Sequence, residues 1–575
     1  MQTQTTPLVR SLQLSPSAAL LTVLLAVIFF GSIRYRLRDM PLERDEGEYA
    51  YSGQLLLQGI PPYKLAYNMK LPGIYLAYAA TMAAFGETPS ALHLGLLLVN
   101  AITVFLLYFL TSTLFGRLAA LVAACTYALL STSTSVMGFE AHATNFVVLP
   151  ALASIFLLLL ALRSEHPSRN SGVPPAVEQT SHSLSLWLLF SSGLLSGIGF
   201  LMKQHGAFFA LFCLFYLLWT DWKKKTPRMI LGDVAILASG TLLPYLVSCC
   251  LLYRAGVFSQ FWFWTVSYAN EYSKVGTHRA IRAFLDNSRT VVTPALPLWL
   301  LAAVGLSAVF WSQSARRNSV FICGFVLFSF LSLCPGAYFR PHYFVLLLPA
   351  IAILAGIAVS AASESLARPS SPAYLVIIPA LIFVGSFFYA VVHQRLLYFH
   401  MNPAEVVQAT YDNNAFVPAV EVARYIKNNS PETARIAVLG SEPEIYFYAQ
   451  RHSATGYIYM YSLIGRQKYT TRMRAEFMRE LEQNQPDYLV YVDVWDSWGD
   501  RNGDSQLAGF LAGLQEYMSK AYDRVGVADI GSDTRYVWGE AATTYVPASS
   551  KVIYVLKRRE SKQSQDAFLA PFKRP

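Results

Sequence analysis

Residues 44–51 read RDEGEYAY and follow the first membrane-length apolar run of the chain, at 17–33. Three carboxylates, Asp45, Glu46 and Glu48, therefore lie within four positions at the predicted surface of a membrane. Carboxylates this close together repel one another, and lipid cannot solvate them. The cluster is either a solvated loop or a site where an acid or a base acts on a substrate.

The composition is that of a membrane protein. Of 575 residues, 54% are hydrophobic and only 14% are charged, with a mean hydropathy of +0.37; a soluble protein carries about 25% charged residues. The sequence predicts a polytopic α-helical membrane protein with about eleven transmembrane helices, because each apolar run approaches or reaches the ~20 residues that span a bilayer. The runs are 17–33, 91–114, 118–136, 144–162, 185–201, 206–220, 229–253, 291–311, 319–335, 343–362 and 371–392.

The chain divides into two predicted domains. Residues 1–392 form the transmembrane domain, interrupted by a polar connection at 163–183, and residues 393–575 have the composition of a soluble domain. Three strands, at 435–440, 488–494 and 552–557, alternate with helical patterns at 471–484 and 506–520, which predicts a small α/β domain.

Basic residues set the predicted orientation. Brief basic turns such as 223–225 and 316–317 fall on the cytoplasmic side if the N-terminus is cytoplasmic. The protein is then a multi-pass component of the plasma membrane, or of the inner membrane where there are two, with its C-terminal domain extracytoplasmic. Excess positive charge on the outer face would be explained by an anionic substrate.

Several classes of site find no support in the sequence. The six cysteines form no disulfide framework or metal-thiolate pattern, and neither G-x-G-x-x-G nor a P-loop occurs. We therefore expect no cofactor and no nucleic-acid partner. The sequence indicates no metal site, although it is compatible with a divalent cation.

Further ionisable residues interrupt apolar stretches on the predicted outer face. Lys70 precedes an apolar stretch at 74–85 that is too short to span a bilayer unaided, and Glu140 lies in the second external loop. The remaining candidates for substrate binding are Lys203, His205, Arg340, His342 and Tyr343.

These motifs and their order resemble the membrane glycosyltransferases with the GT-C fold. The resemblance is to the protein O-mannosyltransferase-like branch that includes the lipid A aminoarabinose transferases. It is carried by the Asp45–Glu46 pair with its following tyrosine, by the Lys70-Leu-Pro sequence, and by the stretches 138–145, 202–205 and 338–343. Where aminoarabinose transferases commonly show Glu-Lys-Pro-Pro, this chain has Met69 before Lys70, which puts an aminoarabinose donor in doubt.

The resemblance implies transfer of a sugar, with inversion, from a polyprenyl-phosphate carrier to an acceptor hydroxyl outside the cytoplasm. The acceptor is a protein, a lipid or a glycan. The resemblance makes Asp45 the general base, and a positioned carboxylate can indeed take the proton that an attacking hydroxyl loses. Lysine and arginine can stabilise the charge that grows on the leaving phosphate. We expect Lys203 and Arg340 to face one cavity that also contains Asp45.

Each assignment has an alternative. Asp45 could be an N-cap, Glu46 could form a salt bridge with a nearby arginine, and Lys203 could extend to the membrane interface. Glu140 either aids catalysis or is a solvated loop acid. For the whole protein, the rivals are a transporter or flippase of lipid-linked sugars and a non-catalytic subunit of an envelope complex. A transporter would carry ionisable residues and broken helices near the bilayer midplane, whereas here the ionisable residues cluster towards one face.

Overall fold

The computed structural model describes residues 15–164, 175–274, 276–367, 372–412, 414–499 and 505–559. Within these ranges the chain forms two compact units. The first unit contains residues 1–39, 70–256 and 272–403, and the second contains residues 40–69, 257–271 and 404–575. The C-terminal part of the second unit begins at residue 404, whereas the sequence analysis places the domain boundary at residue 393. The unit also takes in two segments, 40–69 and 257–271, that the sequence analysis groups with the membrane domain.

The first unit is helical. Its longer helices are Pro16–Arg36, Pro72–Phe85, Pro89–Leu130, Ala143–Ser164, Pro175–Met202, Ala207–Asp221, Pro227–Arg254, Thr277–Val292, Leu296–Trp311, Ser319–Leu331, Leu348–Leu366 and Ala373–His393. Shorter helical turns are Thr134–Val136, Gln204–Gly206, Thr293–Ala295, Gln313–Arg317, Pro335–Ala337, Pro341–Leu346 and Arg395–Phe399. Of the predicted connection at 163–183, residues 165–174 lie outside the described ranges.

All eleven predicted apolar runs fall on helices, although not every one of these helices has the length of a full membrane span. Eight helices of the described chain are long and apolar enough to cross a bilayer, so the protein is a multi-pass membrane protein. The helix Pro89–Leu130 combines two predicted runs across a non-helical Gly116 with φ of 82°. The helices Ala207–Asp221 and Ser319–Leu331 have only 15 and 13 residues.

Small residues hold the membrane helices together. Lipid is as apolar as a leucine side chain, so helices in a membrane associate through close packing and interhelical hydrogen bonds. The Ser154 hydroxyl lies 2.7 Å from the Ser196 hydroxyl and from the Ser192 carbonyl, and 3.4 Å from the Cys213 sulfur. This buried cluster joins the helices Ala143–Ser164, Pro175–Met202 and Ala207–Asp221.

The second unit contains a mixed six-stranded sheet. Its strands are β1 (Arg435–Leu439), β2 (His452–Ser453), β3 (Tyr488–Asp493), β4 (Tyr522–Asp529), β5 (Arg535–Trp538) and β6 (Val552–Arg558), in the order β2-β1-β3-β6-β4-β5. The strands β2, β1 and β3 are parallel, whereas β6 and β5 each run antiparallel to their neighbours. The predicted strands β1, β3 and β6 are confirmed, and β2, β4 and β5 are additional.

Together with the sheet, the helices of the second unit form an α/β domain. They are Arg44–Leu57, Phe258–Trp262, a π-helix at Phe263–Tyr268, Ala269–Tyr272, Pro403–Tyr411, Phe416–Asn428, Glu444–Ala449, Tyr461–Ile464, Thr470–Asn484, Trp495–Trp498, Ser505–Ala521 and Glu540–Thr544. Two of these helices extend one residue beyond the bounds of the unit, at Tyr272 and Pro403. The segment 44–57, which the sequence presents as part of a loop, is thus a helix of 14 residues.

Gly240 tests the packing of the membrane helices. A Cβ atom at this position would lie well inside van der Waals contact of the Phe190 carbonyl on the neighbouring helix, whereas a Cβ atom at Gly232, on the same helix, would meet nothing within 4 Å. We expect Gly240→Ala to destabilise the protein by about 1–3 kcal/mol, because a well-packed interface cannot absorb an added methyl group. Gly232→Ala should be neutral or slightly stabilising. Thermal unfolding in detergent measures both, and equal stability of the two variants would contradict this packing.

Candidate functional site

Two buried histidines stack in the first unit. The rings of His142 and His342 lie 4.1 Å apart with an interplanar angle of 19°, and both side chains are almost completely buried. His142 directly precedes the helix Ala143–Ser164, and His342 lies in the turn Pro341–Leu346. The Tyr78 hydroxyl donates a 2.7 Å hydrogen bond to the Ala141 carbonyl and so fixes the backbone next to His142. Two adjacent imidazole rings offer nitrogen ligands of the kind that divalent transition metals bind in proteins.

Tyr343 is the centre of a cluster of nitrogen-bearing side chains. The Lys203 ammonium lies 4.1 Å from the centre of the Tyr343 ring, an arrangement that stabilises a desolvated cation. The rings of His205 and His342 pack edge-on against the same tyrosine, at 4.6 and 4.8 Å. Lys203 is 6% exposed. It therefore does not extend into solvent, and its cation rests on an aromatic face within the unit.

The helix break at Lys203 explains how a lysine comes to lie between two apolar helices. One helix ends at Met202 and a short turn, Gln204–Gly206, begins directly after Lys203. The His205 Nδ1 atom donates a 2.6 Å hydrogen bond to the Ser332 carbonyl. The break thus directs Lys203 and His205 towards residues of the 332–343 segment.

Arg340 is exposed and follows a partly buried segment with unusual backbone geometry. Its guanidinium donates a 3.1 Å hydrogen bond to the Tyr272 hydroxyl and lies 5.6 Å from the Tyr338 ring. The preceding Phe339 has φ of 45° and Ala337 has φ of 54°, values that cost energy in residues other than glycine. Such strained backbone is concentrated at functional sites in proteins.

The cations of the first unit act together on the buried histidines. Burial holds the pKa of His342 well below its ordinary value, and His142, Lys203, Arg340 and Lys70 lower it further. The pKa of His205 is lowered by burial, then by Lys203 and Lys70, although its bond to Ser332 opposes the shift. Both imidazoles are therefore neutral at pH 7, in a region of positive potential.

Lys70, Lys203 and Arg340 all lower the pKa of the buried His342. The prediction that Lys203 and Arg340 face one cavity that also contains Asp45 stays a prediction.

Arg34 is a residue of this region that the sequence analysis does not single out. Its guanidinium donates 2.6 Å hydrogen bonds to the carbonyls of Ser131 and Gly138, and it is 6% exposed. Glu140, which is 1% exposed, is among the charges that act on Arg34. Glu140 is therefore not a solvated loop acid. An arginine in the last turn of an apolar helix was the available signal, because a charge at that position needs a partner.

The carboxylate cluster of the second unit begins a helix. Glu43 is the N-cap of the helix Arg44–Leu57, where its carboxylate accepts a 2.8 Å hydrogen bond from Glu46 N and its own N–H donates to the Glu46 carboxylate at 3.3 Å. This reciprocal pair is a capping box. Asp45 is thus not the N-cap. It lies in the first turn, half-buried, where the positive end of the helix dipole favours a carboxylate.

The other two carboxylates of the 44–51 stretch are fully buried. Glu46 is occupied by the capping box, so the hydrogen bonds seen for it are local, and its predicted catalytic role stays a prediction. Glu48 accepts a 2.7 Å hydrogen bond from Asn68 and lies 3.1 Å from the Tyr459 hydroxyl. Burial raises the pKa of Tyr459 well above its usual range, and Glu48 and Asp45 raise it further. Tyr459 therefore keeps its proton and acts as a hydrogen-bond donor beside the Asp45 segment.

Comparison with solved structures identifies the fold. ArnT from Cupriavidus metallidurans bound to undecaprenyl phosphate matches with a TM-score of 0.58 and 15% identity, over 94% of this chain and 98% of that chain. The archaeal oligosaccharyltransferase AglB from Archaeoglobus fulgidus, in complex with an inhibitory peptide and a dolichol-phosphate, matches with a TM-score of 0.54 and 13% identity, over 94% of this chain and 76% of that chain. No protein-family model and no curated protein sequence matches the chain. At these identities the comparison shows the fold alone, and the predicted GT-C fold is confirmed.

The neutral histidines predict a pH dependence of stability. The unfolded chain takes up protons near the ordinary histidine pKa of about 6.5, whereas His205 and His342 resist protonation in the folded state. Their contribution is fully present above about pH 6.5 and is lost as the pH falls, by up to about 1.4 kcal/mol per pH unit for each histidine. Thermal unfolding between about pH 5 and pH 8 measures this slope. His342→Asn should flatten it, and an unchanged slope in that variant would contradict the assignment.

Proposed function

We propose that this protein is an inverting glycosyltransferase that moves a sugar from a polyprenyl-phosphate carrier to an acceptor hydroxyl at the outer face of the membrane. The observation that carries the proposal is the cluster of side chains around Tyr343 in the first unit. The Lys203 ammonium lies 4.1 Å from the centre of the Tyr343 ring, and the rings of His205 and His342 pack against the same tyrosine. Arg340 lies three residues before Tyr343 in the sequence, and the unit is built of membrane helices. Cations are costly next to lipid, and an anionic ligand of the membrane would offset that cost.

A phosphate leaving group fits these cations chemically. When the bond from the anomeric carbon to the phosphate oxygen breaks, negative charge grows on the phosphate. Preorganised positive charges stabilise this transition state in a site from which water is largely excluded. Arg340 can present a planar fork to two phosphate oxygens, whereas Lys203 supplies a point charge. The neutral His342 adds a hydrogen-bond donor without adding charge.

Asp45 supplies the base in this proposal. The attacking hydroxyl loses its proton as it bonds to the anomeric carbon, and a carboxylate that is ionised at pH 7 can accept that proton. Asp45 is half-buried on a helix, whereas Glu46 and Glu48 are fully buried and engaged with Glu43 and Asn68. Of the three carboxylates in the RDEGEYAY stretch, Asp45 is therefore the most accessible to an acceptor.

The ligands of the solved relatives agree with a lipid-phosphate donor. ArnT was crystallised with undecaprenyl phosphate, and AglB with a dolichol-phosphate. We extend this ligand class to the present chain because its first unit combines membrane helices with a cluster of cations. The acceptor is a hydroxyl of a protein, a lipid or a glycan.

Asp45→Asn tests the base. The amide keeps the shape of the side chain but cannot accept the proton, so we expect the rate of transfer to fall by roughly 10²–10⁴-fold. Binding of undecaprenyl phosphate, measured with purified protein, should be unchanged. The assay detects undecaprenyl phosphate released from lipid-linked sugars that are extracted from the membranes of source cells.

Arg340→Ala should show the opposite behaviour, with weaker binding of undecaprenyl phosphate. Arg282→Ala is the matched control, because the Arg282 side chain is 78% exposed on the same unit.

Near-normal transfer by folded Asp45→Asn protein would eliminate Asp45 as the base. Movement of intact lipid-linked sugar across the membrane, without release of the lipid phosphate, would instead establish a flippase.

The proposal also requires a definite orientation. If the basic turns at 223–225 and 316–317 are cytoplasmic, a reporter fused after residue 392 lies outside the cytoplasm. We therefore expect alkaline phosphatase at this position to be active and a reporter that fluoresces only in the cytoplasm to be dark. The reverse pattern would place the second unit in the cytoplasm and would exclude an external reaction.

A further inference from the structure

The loops that follow the parallel strands β1 and β3 lie at one edge of the sheet of the second unit, and we call the space between them the β1–β3 crevice. The parallel strands β1 and β3 are neighbours, and both end at the same edge of the sheet, at Leu439 and Asp493. In open α/β sheets, ligands bind outside the carboxyl ends of parallel strands. Here the loops that follow the two strands are 440–443 and 494–499.

The side chain of Arg44 occupies this crevice. Its Nε atom donates a 2.6 Å hydrogen bond to the Ser441 carbonyl, and its Nη2 atom donates a 3.1 Å hydrogen bond to the Glu442 carboxylate. Asp496, from the second loop, lies 3.8 Å from the same nitrogen. Arg44 thus joins both loops at the carboxyl edge of the sheet.

Two aromatic rings complete the binding of Arg44. The guanidinium lies 5.3 Å from the ring centres of both Phe416 and Tyr461. The Tyr461 hydroxyl donates a 2.8 Å hydrogen bond to the Asp496 carbonyl and thereby fixes that loop. Arg44 is 15% exposed and the Glu442 carboxylate is fully buried. Removing one partner of a buried ion pair is strongly destabilising, because the other charge is left without compensation.

Glu442 is itself held in a fixed position. One carboxylate oxygen binds Arg44, and the other accepts hydrogen bonds from Ser441 N at 2.7 Å and from the Ser497 hydroxyl at 2.6 Å. The carboxylate therefore cannot rotate without losing one set of partners. Because the Glu442 carboxylate is fixed, it also fixes the guanidinium of Arg44, the residue that directly precedes Asp45.

The rest of the helix Arg44–Leu57 also packs against the C-terminal sheet domain. A Cβ atom at Gly47 would lie 2.5 Å from Glu444 N, so the helix backbone packs directly against the start of the helix Glu444–Ala449. The Tyr51 hydroxyl accepts a 2.7 Å hydrogen bond from Ser453 N, and the Tyr459 hydroxyl donates to the Arg44 carbonyl at 2.9 Å. Side-chain and backbone contacts of the sheet domain thus set both the position and the rotation of the helix Arg44–Leu57.

We propose that the C-terminal sheet domain is a positioning element of the reaction, in which the β1–β3 crevice binds Arg44 and so fixes the helix that presents Asp45. Arg44, Gly47 and Glu442 are positioning residues, and this role rests on the proposed function of Asp45 as the base. A misplacement of about 1 Å can cost on the order of 10²-fold in rate. The domain therefore contributes to the rate of the chemical step by positioning Asp45.

Glu442→Gln tests the proposal with little change of shape. The amide weakens the charged contact to Arg44, so backbone amides of the helix Arg44–Leu57 should exchange with deuterium about 10-fold faster or more, because local opening becomes easier. The rate constant kcat for release of undecaprenyl phosphate should fall by about 10–100-fold. The KM for the extracted lipid-linked sugars and the binding of undecaprenyl phosphate should stay the same.

Asp523→Asn is the matched control. Asp523 pairs with Arg559 at 2.8 Å in the same unit, but both side chains are about half exposed. Exposed pairs contribute little, about 0–1 kcal/mol, so this variant should leave amide exchange and kcat unchanged. A second pair of variants covers the case in which Glu442→Gln does not fold. Gly47→Ala should slow the reaction, whereas Gly513→Ala, where a Cβ atom meets nothing within 4 Å, should not.

Two outcomes overturn the proposal. Normal exchange and normal kcat in Glu442→Gln or Gly47→Ala would show that the crevice does not position the helix. An equal rise in amide exchange throughout the protein, with KM and kcat both changed, would show a general loss of stability instead. Failure of the base assignment is separate, since it is read from Asp45→Asn alone. In that case the exchange measurement still decides whether the crevice fixes the helix.

Discussion

An ionised side chain in surroundings that exclude water must have a partner, and this requirement governs both units of the protein. In the first unit the Lys203 ammonium rests on the face of Tyr343, and Arg34 binds the carbonyls of Ser131 and Gly138. In the second unit Arg44 is paired with Glu442. Arg34 and Arg44 also bind backbone carbonyls, of Ser131, Gly138 and Ser441, and so fix the chain near candidate functional residues. The contacts that stabilise the buried charges therefore also hold candidate functional residues in position.

The two units contribute different parts of the proposed reaction. The first unit supplies cations and neutral imidazoles in a frame of membrane helices, which suits a lipid phosphate. The second unit supplies a carboxylate on a helix whose first turn is capped by Glu43 and held by the sheet domain. This division explains why residues 40–69 belong to the sheet domain rather than to the helices on either side of them in the sequence.

Composition and periodicity predicted the helical membrane unit and three of the six strands, because long apolar runs and buried alternating strands leave local signals. The GT-C fold was predicted from the resemblance of the motifs around Asp45, Lys70 and 338–343 to that family. Strand β4 was missed because Asp523, Arg524 and Gly526 are poor strand formers that only the partner strands stabilise. The Arg44–Glu442 pair joins positions 398 residues apart, and no local pattern reveals such a contact. The capping box was missed because glutamate is an unusual N-cap. The cations Lys203 and Arg340 were found because they interrupt apolar stretches.

The central claim is that a sugar leaves a polyprenyl phosphate through the action of this protein. Mass spectrometry of envelope lipids, glycans and proteins tests it most directly, in cells with the gene, without it, and with the Asp45→Asn form in its place. Loss of the gene should raise the amount of one polyprenyl-phosphate-linked sugar and remove the matching sugar from one envelope component, and Asp45→Asn should reproduce both changes. Identical lipids and identical glycosylation in all three strains would contradict the account.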